Sequence, residues 1–340
     1  MTKILNIAVD AMGGEGSPKK TIDGIIHHAQ LTKNINYNIF GNEEEIKKLI
    51  KDLKGNSFKI FNTKDKILDT DSPLTAARKG KNSSMWKAIE SVKSKESDIV
   101  ISAGNTGALF VIAKMNLEMI ENIDKPALSA LWPNKLGMNV VLDLGANIEC
   151  SEKNLTDFAI MGSSLFKSLY PNEQPKVALL NIGSEDIKGN ETIKGAYKIL
   201  SEKKNSEFYF AGYIEGNNIM SGDVNVIVTD GFTGNIALKT AEGTAKFITD
   251  NLKKSLTENL FTKISLVFSY FSLKKFRERL DPRKYNGAIF LGLNGPVVKS
   301  HGGTDSLGFY YSIDLCYKIV KGNLIKEIKK NLSHLKSDQE

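Results

Sequence analysis

Cysteine is nearly absent from this 340-residue sequence: Cys150 and Cys316 stand alone, with no Cys-x-x-Cys pair. That argues against a disulfide framework and against a cysteine-based structural zinc site. Histidine is also scarce, at four residues. His27 and His28 fall in the first helical pattern, where packing or solvent is the expected role, and His334 lies in a polar carboxyl-terminal stretch. Only His301 sits in a glycine loop, among neighbours suited to an anion. No window approaches the roughly 20 apolar residues needed to span a bilayer. The opening segment has a short apolar run that ends on Asp10, which reads as a first strand and not as a signal peptide. The expected compartment is the cytoplasm.

Familiar chemical signatures are missing too. Gly183–Gly189 is followed by Asn190 and not by Lys-Ser/Thr, so it is no Walker loop, and Gly13-Gly-Glu-Gly16 departs from the GxGxxG spacing. There is no GxSxG elbow and no HExxH pair. Neither cysteine has a histidine near it in sequence, so a thiol nucleophile is not expected. No metal, cofactor or nucleic acid is expected. Forty-six Lys and Arg against 39 Asp and Glu leave a net charge of +7, which suits an acidic partner, an anionic surface or an anionic substrate.

What is present is a repeated plan of apolar run, Gly-rich turn and helical stretch. The expected strands are Leu5–Val9, Tyr37–Phe40, Phe58–Phe61, Asp98–Ser102, Asn139–Leu144, Lys176–Ile182, Phe208–Ala211, Val224–Val228 and Ala288–Leu291. One long polar helix is expected over Leu74–Ser94 and one final helix over Leu307–Leu335, with Ser17-Pro18 opening the first helix. Strands alternating with helices predict an α/β fold, a mostly parallel sheet covered by helices on both faces. No linker divides the chain, so residues 1–340 read as a single domain, with an amphipathic helical insertion around 253–284.

In such a sheet the loops at the carboxyl ends of the strands gather on one edge, where ligands bind. At least five of these loops are rich in Gly, Asn, Thr and Asp. Glycine lets backbone approach a ligand closely, and a helix N-terminus offers free N–H groups to phosphate. The absence of a catalytic triad fits one reaction type. Phosphate near neutral pH already includes the dianion and needs little help from a base, and a thioester leaves as a thiolate that needs little help from an acid. Such a transfer requires positioning and charge stabilisation. Lys188, between Asp186 and Gly189, suits that role. Asp230 is placed to steady the lysine or manage a proton, and Thr233 and Asn235 to donate hydrogen bonds.

The segments Val9–Gly14, Ser102–Leu109, Leu142–Asn147, Leu180–Glu191, Thr229–Asn235 and His301–Ser306, in that order, resemble the bacterial acyl-acyl-carrier-protein:phosphate acyltransferases of phospholipid synthesis. The resemblance runs through nearly the whole chain. It implies transfer of a fatty acyl group from acyl carrier protein to inorganic phosphate, with the acyl phosphate passed to a downstream glycerol-3-phosphate acyltransferase. It also implies a homodimer with a Rossmann-like core of the phosphotransacetylase and isocitrate-dehydrogenase kind. Carried over as catalytic are Lys188 and Asp230. The phosphate-binding set it implies is Asp10, Gly13, Gly14, Asn105, Thr106, Gly107, Asn147, Gly183, Glu185, Asn190, Thr233, Gly234, Asn235, His301, Gly302 and Gly303. The first loop departs from the family pattern, with Glu15 where an aspartate is usual.

Leu256–Leu280 stands apart. Its apolar run Ile264–Phe271 is followed by Lys274, Lys275, Arg277 and Arg279. It is too short to span a membrane but suits one lying along an anionic surface, with Ile264, Val267, Phe268 and Phe271 in contact. A core or dimer-interface helix fits the same pattern. Two other readings remain: a phosphotransacetylase or decarboxylating dehydrogenase on a similar fold, and a membrane scaffold. A dehydrogenase needs an arginine set for a dicarboxylate, and only Arg78 is suitably placed; a scaffold leaves the glycine loops unexplained.

Overall fold

The computed structural model describes residues 4–50, 57–202 and 207–337. In chain order the elements of the first stretch are β1 (Leu5–Asp10), α1 (Lys19–Leu31), β2 (Ile35–Gly41), α2 (Glu43–Leu49), β3 (Ser57–Asn62), α3 (Pro73–Lys79), α4 (Ser84–Lys93), β4 (Ile99–Ser102) and α5 (Thr106–Leu117). The middle holds β5 (Ala127–Pro133), β6 (Met138–Leu142), α6 (Glu152–Leu169), β7 (Lys176–Asn181), α7 (Glu191–Glu202), β8 (Tyr209–Glu215) and β9 (Val226–Val228). Then come α8 (Gly231–Thr257), α9 (Leu260–Arg279), β10 (Ala288–Leu291), β11 (Val297–Lys299), α10 (Ser306–Lys321) and α11 (Leu324–Ser337).

Among the described residues, eleven strands form one sheet in the order β3-β2-β1-β4-β11-β10-β5-β6-β9-β7-β8. Successive strand side chains point to opposite faces. Ile7 and Val9 therefore join a core under α1, α10 and α6, while Ala8 joins one under α4 and α5. Val140 and Leu142 do the same in the other half, with Val141 turned to the second face. The result is an α/β sheet covered on both faces, as the sequence pattern predicts.

Strand direction overturns the expectation of a single loop edge. β3, β2, β1, β4 and β11 are parallel, and so are β6, β9, β7 and β8. Between them lie three antiparallel junctions, β11–β10, β10–β5 and β5–β6. An odd number of reversals points the two parallel blocks in opposite directions. The loops after β1, β4 and β11 therefore share one edge of the sheet, and those after β6, β7 and β9 share the other. β5 and β11 were not expected from sequence. β11 is three residues long, bounded by Pro296 and the His301 loop.

Two expected long helices are each divided. Gly80 closes α3, and Ser83 then caps α4 by accepting a hydrogen bond from Trp86 N at 3.2 Å. α10 stops at Gly322, where a Cβ would lie 2.1 Å from the carbonyl oxygen of Ser168, and α11 starts afresh two residues on. The first helix begins at Lys19 with no side-chain cap; Ser17 Oγ instead donates to Gly13 O at 2.6 Å.

α9 follows α8 after two residues, and the described side chains of both are exposed over most of their length. Of the 27 residues of α8, those buried are Gly231 and Gly234. On α9, Phe268 and Phe271 are 88% and 81% exposed, and the side chains of Ile264 and Val267 lie outside the described residues. Among the described residues no helix is long and apolar enough to cross a membrane.

Candidate active site

The loops after β1, β4 and β11 are built on one buried carboxylate. Asp10, 1% exposed, accepts hydrogen bonds from Ser84 Oγ and Ser102 Oγ, each at 2.6 Å, and from Met12 N at 3.2 Å. Burial pushes its pKa up, while the hydroxyl and backbone donors pull it back. This grip ties α4, β1 and β4 together below the loops. Above it the backbones pack too closely for side chains. A Cβ on Gly13 would sit 2.6 Å from Gly104 N, and one on Gly14, at φ +80°, would sit 2.8 Å from Ala103 O and 2.9 Å from Gly302 O. Glycine removes both conflicts.

A cavity of about 480 Å³ opens here, lined by Glu15, Asp69, Ala103–Gly107, Lys239, Lys299 and His301–Gly303. Lys299 donates to Ala103 O at 3.4 Å and to its neighbour Ser300 O; Lys20 donates to Gly302 O. Burial lowers both lysines, Lys299 to about 8, against the pull of Asp69. The His301 backbone N–H is fixed by Asn286 Oδ1 at 3.0 Å, and His301 Nδ1 accepts Gly303 N at 3.2 Å. α5 opens at Thr106 on the cavity wall and presents the N-terminal end of its dipole there. Cations, a helix N-terminus and glycine backbone together suit a tetrahedral oxyanion.

Asn105 lines this cavity, but its side chain serves the fold. Its Oδ1 caps α5 at Ala108 N, and its Nδ2 holds the 68–71 loop through Asp69 O and Asp71 O, both at 3.0 Å.

The opposite edge has its own buried carboxylate, Asp143, which accepts from the backbone N–H groups of Leu128, Gly145, Ala146 and Asn147 and from Asn147 Nδ2. Burial raises its pKa against these donors. Asn147 Nδ2 also reaches Pro126 O at 2.7 Å, so that side chain is spent on structure. Gly234 is required here, because a Cβ would fall 1.9 Å from Asp143 O. Asp230 caps α8, accepting Thr233 N and Thr233 Oγ1 at 2.8 Å each, and Asn235 Nδ2 donates to Leu144 O at 3.2 Å. Asn190 caps α7 by accepting Ile193 N at 2.9 Å. Gly183 is buried beneath Glu185 and Lys188, whose side chains are exposed. Cys150 is held up at about 11 by burial and by the charges of Asp143 and Asp230, which argues against a thiolate nucleophile.

The residues expected from sequence thus fall into two groups. Asp10, Gly13, Gly14, Asn105, Thr106, Gly107, His301, Gly302 and Gly303 meet around or beneath the cavity. Asn147, Gly183, Glu185, Lys188, Asn190, Asp230, Thr233, Gly234 and Asn235 meet at the other edge and lie outside the cavity lining. α8 links the two, running from Asp230 to bring Lys239 to the cavity.

Sequence reasoning missed Lys20, Lys239 and Lys299, and also Glu15 and Asp69 as wall residues. A signal existed for Lys20, since a lysine in the first turn of a helix opposes the helix dipole and calls for another reason to be there. Lys299 adjoins the loop that drew attention through His301. Nothing local marks Lys239. Among the described residues no group of three or more His, Cys, Asp or Glu is arranged to hold a metal ion.

Comparison with known proteins agrees with this architecture. A family model described as "Fatty acid synthesis protein" matches residues 5–327. The chain is 67% identical over 332 residues to a protein named phosphate acyltransferase from Pelagibacter ubique (strain HTCC1062), covering 98% of this chain and 100% of that one. It is 41% identical over 345 residues to a phosphate acyltransferase from Maricaulis maris (strain MCS10), covering 100% of this chain and 98% of the other. Among solved structures, the EutD phosphotransacetylase from Staphylococcus aureus superposes with a TM-score of 0.60 at 16% identity over 94% of each chain. A phosphotransacetylase from Streptococcus pyogenes gives 0.60 at 16% over 96% of this chain and 95% of its own. At that identity the likeness concerns the fold.

Proposed function

The chain belongs to the fatty acid synthesis protein family represented by these phosphate acyltransferases, and from that premise we propose that it moves a long-chain fatty acyl group from acyl carrier protein to inorganic phosphate. The product, an acyl phosphate, would feed phosphatidic acid and phospholipid synthesis through a glycerol-3-phosphate acyltransferase. The observation that carries this reading is the cavity in which Lys299, Lys239 and His301 face the first turn of α5 across glycine backbone.

In this reading a phosphate oxygen attacks the thioester carbonyl carbon. The new O–C bond forms, the carbonyl oxygen takes up negative charge, and the C–S bond then breaks to release the carrier thiolate. Phosphate enters as the dianion, so this chain's residues hold charge instead of abstracting a proton. Lys299 and Lys239 supply positive charge to phosphate, and the N–H groups at Thr106 and Gly107 suit the oxyanion. Glu15 and Asp69 on the wall balance the lysines. The protein works as a homodimer, and the exposed Phe268 and Phe271 of α9 rest against anionic membrane on its cytoplasmic face.

The test is an assay for hydroxylamine-reactive acyl phosphate and free carrier thiol, with phosphate and acyl-loaded carrier protein. Lys299→Met is expected to raise the phosphate KM by at least about 10-fold, the loss of one charge-assisted contact. Phosphate-dependent turnover of acetyl-coenzyme A but not of the loaded carrier would replace this reading with that of a phosphotransacetylase, whose fold this is.

A further inference from the structure

The turn at residues 68–71 brings Asp69 to the cavity wall with little packing to hold it. Ile67 enters the core beneath α3 and α4, and the next buried residue is Ala76 on α3; none between them is buried. Hydrogen bonds must therefore fix the turn. Two are internal: Leu68 N donates to Asp71 Oδ2 at 2.8 Å, and Asp71 N donates to Leu68 O at 3.1 Å. Among the described residues, those that join the turn to another part of the chain come from Asn105 Nδ2. It lies 3.0 Å from Asp69 O, 3.0 Å from Asp71 O and 3.4 Å from Leu68 O. An amide nitrogen has two hydrogens, and the two shorter contacts account for both. Asn105 is itself locked, because its Oδ1 accepts Ala108 N at 3.0 Å as the cap of α5.

We infer that Asn105 is a positioning residue: its amide holds the 68–71 turn so that the Asp69 carboxylate stays on the cavity wall as the counter-ion of Lys299. This rests on the phosphate reading of the cavity. Lys299 needs such a partner, because its Nζ donates to Ala103 O and Ser300 O, which are neutral carbonyls. Burial favours the uncharged amine. The charges that bear on it are Asp69 from the turn, Lys20 from α1 and Asp10 at the end of β1; Glu15, Lys239 and His301 line the same wall. Of the acids, Asp69 bears on Lys299 most strongly. Asp10 spends its oxygens on Ser84 and Ser102, and Glu15 bears on Lys20. A lysine without its proton has no charge to offer phosphate. Asn105 thus serves the chemistry through the backbone of a turn, with no amide hydrogen left for the anion itself.

The experiment separates the helix cap from the hold on the turn. Asn105→Ser keeps a capping oxygen for α5 and removes the donor. Asp69→Asn removes the charge and keeps the backbone carbonyls of the turn. Two quantities are followed against pH on the full chain: the affinity for inorganic phosphate by calorimetry, and the acetylation of Lys299 by acetic anhydride, read by mass spectrometry. In wild type both should have a midpoint at about 8. In each variant the midpoint is expected about one pH unit lower, the effect of losing a nearby opposite charge. The double variant should lie no lower than either, because both changes remove one interaction. Loss of a purely structural contact would not move the midpoint. A midpoint unmoved in Asp69→Asn overturns the counter-ion. One unmoved in Asn105→Ser beside a shifted Asp69→Asn, or shifts that add in the double variant, overturns the role of Asn105. Asn105→Thr, which also caps without donating to the turn, repeats the measurement if Asn105→Ser loses its circular dichroism. Acetylation midpoints that shift as described in a protein that binds no phosphate would retain the positioning role and overturn the phosphate reading.

Discussion

Ser102 Oγ donates to Asp10 Oδ2 at 2.6 Å, joining the carboxyl ends of two neighbouring parallel strands through a carboxylate that solvent does not reach. With Ser84 Oγ on the other oxygen, Asp10 fixes how far apart the first and second cavity loops stand. Asp10→Ala leaves two buried hydroxyls without their acceptor. It should lower unfolding stability by about 1–3 kcal/mol, read from urea midpoints, and raise the phosphate KM. An unchanged midpoint and KM would show that the loops hold themselves.

Lys299 gives a pH dependence with two opposite signs. Its folded pKa is about 8, below the ordinary 10.5, chiefly because it is buried. Raising the pH through about 8 removes its charge, so phosphate affinity should fall across that point. Over the window from about 8 to 10.5 the unfolded chain binds more protons than the folded one, so this residue makes the fold more stable as pH rises. Phosphate KM and urea stability, measured together from pH 7 to 10, check both. Lys299→Arg stays charged and should flatten the binding profile.

The parallel blocks, their helices and both groups of loops were legible from sequence, because apolar runs ending in Gly, Asn and Asp are strong local signals. The direction of the blocks was not. It depends on β5 and β11, one holding Trp132-Pro133 and the other three residues long, and neither has the alternation that marks a strand. Missing them hid the reversal and so placed Lys188 and His301 on one edge. Asn105 and Asn147 are ambiguous for a related reason: an asparagine at a loop suits an anion and a structural hydrogen bond equally, and only the fold shows the partners of each. Lys239 was beyond reach because its relevance comes from the path of α8 across the sheet.

The exposed aromatics of α9 make a separate claim testable. Phe268→Asp with Phe271→Asp should cut flotation with vesicles of anionic phospholipid, while leaving turnover of a soluble, short-chain acyl carrier substrate within about two-fold, since surface changes of this kind seldom disturb a fold. Flotation equal to wild type would assign α9 to contact with protein.

His28 reports on the fold and not on the site. Fully buried, it pairs through Nδ1 with Tyr37 Oη at 2.7 Å, and burial lowers its pKa to about 4 from 6.5 despite nearby Asp314. Between those values the unfolded chain takes up the proton and the folded one does not, so stability is lost as pH falls from about 6.5 toward 4, by roughly 3 kcal/mol in the limit. Urea midpoints at pH 7.5 and 4.5 should differ more for wild type than for His28→Gln.

β11 lies between β4 and β10 in the sheet yet is, among the described residues, the last strand in chain order, and it carries Lys299 into the cavity wall. A chain emerging from a ribosome can pair β1, β2 and β4 early, but the gap beside β4 stays open until some 300 residues have been made. Ligand capture is therefore withheld from chains in which β11 has yet to be made, and an inhibitor aimed at this pocket would find its target only after that strand has joined the sheet.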